Sequence, residues 1–114
     1  MVVSFANNLV MVCNNSTSII YTDPVPMSGF DRCIGILLIH YIFGTSALLS
    51  IQLQASNDGT TWIDVGAPDT ANSEGAAGVG TTGLSYAFIR YEFTFSASDA
   101  GGLCFDLPAR LDHA

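Results

Sequence analysis

From Leu49 to Ser56 apolar and polar residues alternate one for one: Leu49, Ile51, Leu53 and Ala55 against Ser50, Gln52, Gln54 and Ser56. Two residues is the repeat of a strand, whereas a helix would gather its apolar residues three and four apart. Asn57-Asp58-Gly59-Thr60 follows, four turn-forming residues with a glycine available for positive φ. Trp62–Val65 then returns as the partner strand, and Trp62 packs across the hairpin onto the sheet. The centre of the chain is thereby committed to a β-hairpin. A lone hairpin is marginal in water, so the rest of the chain must supply the strands that complete its sheet.

Those strands are legible on both sides. Val2–Ala6 and Leu9–Cys13 are rich in Val and Phe and are separated by Asn7-Asn8, a favourable turn pair. Asn14-Asn15-Ser16 makes another turn before the β-branched Thr17–Thr22. Asp23-Pro24-Val25-Pro26 stops regular pairing, because proline donates no ladder hydrogen bond. Near the end, Ala87, Ile89, Tyr91, Phe93 and Phe95 alternate with Phe88, Arg90, Glu92 and Thr94, so that Arg90 and Glu92 face water or a polar interface. Asp99–Gly102 is read as a turn and Leu103–Leu107 as a last short strand before Pro108. No stretch carries a helical stripe. The expectation is one all-β domain over 1–114, an antiparallel sandwich or jelly-roll-like fold of roughly seven or eight short strands. The small, polar stretch 66–83 has no hydrophobic period and is expected to be a flexible loop.

Cys33–Phe43 (CIGILLIHYIF) departs from this pattern, being apolar at nearly every position. With Leu53 as its far end the segment is long enough in principle to cross a bilayer. Gly44-Thr45-Ser46 interrupts it, Ser50 and Gln52 alternate within its second half, His40 sits inside the first, and no Lys/Arg bias flanks it. A strand pair joined at Gly44–Ser46 is the preferred reading, with both faces of the first strand needing cover. An antiparallel sandwich covers one face. A second copy of the chain is the simplest cover for the other, which makes Ile34, Ile36, Leu38, His40 and Ile42 the candidate interface.

The composition points the same way. Only 11% of residues are charged and the mean hydropathy is +0.42, more apolar surface than so small a domain readily hides. With three Arg, no Lys and a formal charge of −7, the chain repels phosphate backbones, which argues against a nucleic-acid partner. Cys13, Cys33 and Cys104 have no metal-ligand spacing; reduced thiols in a core are the preferred reading, with a Cys13–Cys33 or Cys33–Cys104 bridge as the alternative. No convergent set of titratable groups appears: His40 lies in an apolar run, His113 in the tail, and Gly78-Val79-Gly80 lacks the Lys of a phosphate loop. The acidic pairs Asp23/Asp31, Asp58/Asp64 and Asp69/Glu74 match no calcium-loop spacing. The expectation is a protein that is not an enzyme and carries no cofactor or metal. The opening residues lack the basic and apolar regions of a signal peptide, so a virion or cytoplasmic assembly is the expected setting.

The motif Ser56-Asn57-Asp58-Gly59-x-x-Trp62, followed by the aromatic-flanked Ile89-Arg90-Tyr91, resembles discoidin-type β-sandwiches and is similar to small sandwich proteins of phage tails and virions. The likeness runs from Leu49 to Phe93 with the long loop left out. It implies a sandwich and, from the discoidin side, a carbohydrate- or surface-binding module. The chain departs from that side: it is shorter, has no terminal cysteine pairing and no set of exposed aromatic spikes. The virion-type resemblance implies a self-associating structural protein of a virion, tail, filament or shell, with copies of itself, and other structural subunits, as partners.

Overall fold

The computed structural model describes residues 1–113 and is all-β. Eight strands follow one another as β1 (Val2–Tyr21), β2 (Val25–Pro26), β3 (Arg32–Phe43), β4 (Leu48–Ser56), β5 (Ile63–Asp64), β6 (Asp69–Ala71), β7 (Gly75–Thr81) and β8 (Phe88–Asp112). Every pairing is antiparallel.

β8 organises the molecule. At 25 residues it would reach about 80 Å if straight, yet the longest dimension of the protein is 43 Å. The strand must fold back on itself, and its aromatic rings show where. Phe93 and Phe105 lie on the same strand with their ring centroids 5.0 Å apart and edge to face. The bend between them is at Ala97–Gly102. β1 runs along one side of β8 for its whole length, while β3 and then β4 run along the other. All three lines bend together, so one continuous sheet doubles over into two leaves. The first leaf is β7–β3–β8–β1, using the C-terminal half of β8 and the N-terminal half of β1. The second is β4–β8–β1 from the remaining halves, with β5 and β6 on the outer edge of β4 and β2 beside Phe88 and Ile89.

The inner faces carry the alternation expected from the sequence. Leu49, Ile51 and Ala55 from β4 meet Ile89, Phe93 and Phe95 from β8, all at most 1% exposed, and Leu103, Phe105 and Leu107 cover them from the other leaf. The 57–62 turn also forms as expected, with Gln54 opposite Asp64 and Ala55 opposite Ile63.

Four local expectations are corrected. Asn7-Asn8 and Asn14–Ser16 are not hairpin turns but irregularities inside β1, marked by register shifts and by Asn8 (φ 48°) and Asn15 (φ 50°). Asparagine tolerates that backbone region, so a bulge and a turn carry the same local signal. Asp99–Gly102 is likewise a bend within β8. Pro108 does not end the chain's last strand, because the β3–β8 ladder skips from Gly35↔Ala109 to Leu38↔Asp106 at that level. Three short segments thus fuse into β1 and two into β8, which makes these two strands far longer than the short ones expected, while the number of strands, eight, is as expected. Finally, 66–83 is not a plain loop: β6 pairs with β4, and β7 pairs with β3 over seven consecutive residues, from Cys33↔Thr81 to Ile39↔Gly75. Glycine and alanine leave no apolar period to read, yet they satisfy a ladder through backbone alone.

The crease is held by a side chain. Asp99 accepts from the Thr45 backbone N–H and from its hydroxyl, both at 2.7 Å, and the Ser98 N–H donates to the Thr45 carbonyl. Those bonds hold the Asp99 carboxyl below the usual carboxylate range. Asp58 is lowered for the same reason by the Thr60 and Thr61 N–H groups and the Ser56 hydroxyl in the hairpin turn. Asp112 is lowered by Arg32, 3.0 Å away. Carboxyls depressed in the fold contribute stability above their unfolded range and lose it as pH falls through and below that range. The urea midpoint is therefore expected to be level from neutrality to about pH 5 and to fall below about pH 4. A midpoint that is level down to pH 2.5 would contradict this account of the turns.

Candidate interaction surface

The outer face of the first leaf is built by β3. Its alternation places Cys33, Gly35, Leu37 and Ile39 inward, and all four are buried. Ile34, Ile36, Leu38 and His40 point outward: Ile34 is 40% and Ile36 50% exposed, Leu38 is half-buried, and His40 is exposed. The structure brings these four expected residues onto one face. Ile42 it does not. The ladder shifts between Ile39↔Phe105 and Tyr41↔Cys104, leaving His40 as an extra residue, and beyond that bulge the parity reverses. Ile42 turns in and packs against the core, while Tyr41 and Phe43 turn out.

The bulge therefore adds two aromatics that strict alternation assigns to the inside. Their rings stack 6.2 Å apart. Phe43 lies over Gly102, where an added Cβ would fall 2.6 Å from the ring. β1 adds Val10 opposite Cys104 and Val12 opposite Gly102, so that Val10 and Tyr41 flank Cys104 and Val12 and Phe43 flank Gly102. At the other end Val2, opposite Arg110, joins Ile34 and Ile36 around a shallow groove. Val2, Val10, Val12 and Phe43 are all more than half exposed. Val10-Met11-Val12-Cys13 is apolar at every position, and that run is the sequence signal that both faces of β1 carry apolar side chains here. The outward turn of Tyr41 and Phe43 has no local signal, since it depends on the register with β8.

Between the two apolar ends lies one polar pair. His40 Nε2 is 3.0 Å from Asp106 Oδ2. The other Asp106 oxygen accepts from the Asn8 N–H, and these contacts, the Asn8 bond foremost, hold the Asp106 carboxyl below its usual range. His40 is thus a surface partner of a carboxylate.

The remaining expected site residues lie on the second leaf. Asn57, Asp58 and Gly59 form the hairpin turn: Asp58 accepts from the Thr60 and Thr61 N–H groups and Asn57 from that of Ala87, while the Gly59 N–H donates to the Ser56 hydroxyl. Trp62 and Tyr21 each stand 4.3 Å from the Arg90 guanidinium, which is stacked between them and also donates to Gln54. Both aromatics are thus engaged with Arg90.

Cys13, Cys33 and Cys104 are free thiols, Cys13 half-buried and the others buried. Burial pushes the Cys33 thiol up to about 11. Among the described residues no cluster of three or more His, Cys, Asp or Glu is placed to hold a metal ion, and no helix is long and apolar enough to cross a membrane.

No family model and no curated protein matches the chain. Among solved structures, a chain in the structure of infectious bursal disease virus, Gx strain, is similar over the whole of this chain, with a TM-score of 0.67 and 14% identity. The match spans 32% of that viral chain's length. At this identity the likeness is one of fold.

Proposed function

We propose that this protein is a non-enzymatic structural subunit of a virion-type assembly and that copies associate through the outer face of the first leaf. One observation carries the reading. Two exposed apolar groups, Val2/Ile34/Ile36 and Val10/Val12/Tyr41/Phe43, lie on the same sheet face with the hydrogen-bonded pair His40–Asp106 between them. An isolated exposed Val or Ile needs no explanation, but apolar residues grouped on one face mark an interaction site. Full burial of an aliphatic or aromatic side chain contributes about 1.5–3 kcal/mol. Side chains already half covered in the subunit retain roughly half of that, so several together outweigh part of the cost of association. The resemblance of fold to a chain of a virus particle agrees with this role. The shifted carboxyls support a role without catalysis, because each is engaged in a turn, the crease or an ion pair.

Size-exclusion chromatography with light scattering, together with negative-stain microscopy, tests the proposal. Multimers are expected at micromolar concentration. The double variant Ile36→Asp/Phe43→Asp is expected to shift them to monomer with an unchanged circular dichroism spectrum, both side chains being at least half exposed. A wild-type protein that elutes as monomer at every concentration overturns the reading.

A further inference from the structure

We propose that β7 is a second contact between copies: it pairs antiparallel with β7 of another subunit, so that the first leaf continues across a two-fold axis. The inference rests on the self-association proposed above and names a contact separate from its apolar face.

The edges of the folded sheet differ sharply. β5 and β6 are two and three residues long, and β2 ends in Pro26. β1 is long but is broken by three register shifts. Short strands, prolines and bulges are the devices that keep a sheet edge from pairing with another. β7 has none of them. It runs seven residues, Gly-Ala-Ala-Gly-Val-Gly-Thr, in unbroken register with β3. Among the described residues its other side faces no strand, since β7 ends the strand order. An edge of this kind presents a row of backbone donors and acceptors to a further strand.

Charge allows a second copy to approach at an edge of this kind. Subunits with a formal charge of −7 repel one another, and close approach is least costly along a segment with no charge, such as 75–81. Identical antiparallel strands complement each other about a two-fold axis without further design. Pairing there also places Ile34 and Ile36 of the adjacent β3 on both sides of a trough floored by Ala76, Gly78 and Gly80, and so extends the apolar face across the join.

Gly78 provides the test, because a Cβ there meets nothing within 4 Å and its φ lies outside the left-handed region. Gly78→Glu and Gly78→Lys should therefore fold like the wild type. In a two-fold pairing each places like charges at or near the axis, and association is expected to weaken on the order of 10–100-fold. Mixing the two variants in equal amounts brings opposite charges together and is expected to restore association by light scattering. Amides of 75–81 are expected to exchange at least about tenfold more slowly in the wild-type assembly than in the monomeric variants.

Wild-type protein that assembles alongside equally assembled Gly78→Glu overturns the β7 pairing and leaves the apolar-face reading standing. Loss of assembly in both variants with no recovery on mixing also overturns it, assigning the edge to a different occupant. Monomeric wild type removes both proposals together.

Discussion

Replacing Phe105 with Ala is expected to destabilise the protein by about 3–5 kcal/mol, read from urea unfolding. Phe105 is fully buried, and its ring meets that of Phe93 edge to face across the fold of their common strand. Removing it takes away the burial of a large ring, opens a cavity between the leaves, and deletes an aromatic contact that ties the two halves of β8 directly together. A domain of this size has on the order of 5–15 kcal/mol in total, so this single change uses a large share of it. Phe43→Ala is the matching control. That ring is 56% exposed on the outer face, and its loss is expected to cost under about 1 kcal/mol in the isolated subunit. Equal losses at the two positions would refute the assignment of inner and outer faces.

Gly101→Val is the second substitution expected to have a large effect, with a loss of about 3 kcal/mol or more. An added Cβ would lie 2.8 Å from the Ala97 Cβ and 3.0 Å from the Phe43 carbonyl oxygen. Neither neighbour can retreat by rotating a side chain, since one atom is fixed to its backbone and the other belongs to it. The crease is equally tight from the opposite side: at Gly44 (φ 122°) a Cβ would stand 2.9 Å from the Gly101 Cα. A second-site change gives a direct check. Ala97→Gly removes the nearer obstruction and is expected to recover part of the stability of Gly101→Ala in thermal melts. If Gly101→Val melts with the wild type, the sheet does not turn where the structure turns it.

Much of the fold was legible because alternation is a local property. Leu49 to Ala55 and Ile89 to Phe95 face the core as their spacing requires, and Asn57-Asp58-Gly59 turns the hairpin through side-chain bonds formed within a few residues. Ile34, Ile36, Leu38 and His40 share a face for the same reason. Ile42 did not follow, because one bulged residue reverses every side chain beyond it and the bulge exists only against β8.

Local alternation was enough to assign strands and to set the inner faces of Leu49–Ala55 and Ile89–Phe95, and composition alone already carried apolar residues in excess of one core. Pairing between distant segments was needed to make Asn7-Asn8 and Asp99–Gly102 bend strands instead of ending them, to make 75–81 an edge strand, and to turn Tyr41 and Phe43 outward. Asparagine and glycine permit a turn, a bulge or a straight ladder at similar local cost. Which one forms is settled by the partner strand, and that partner is brought alongside by residues far away in the chain.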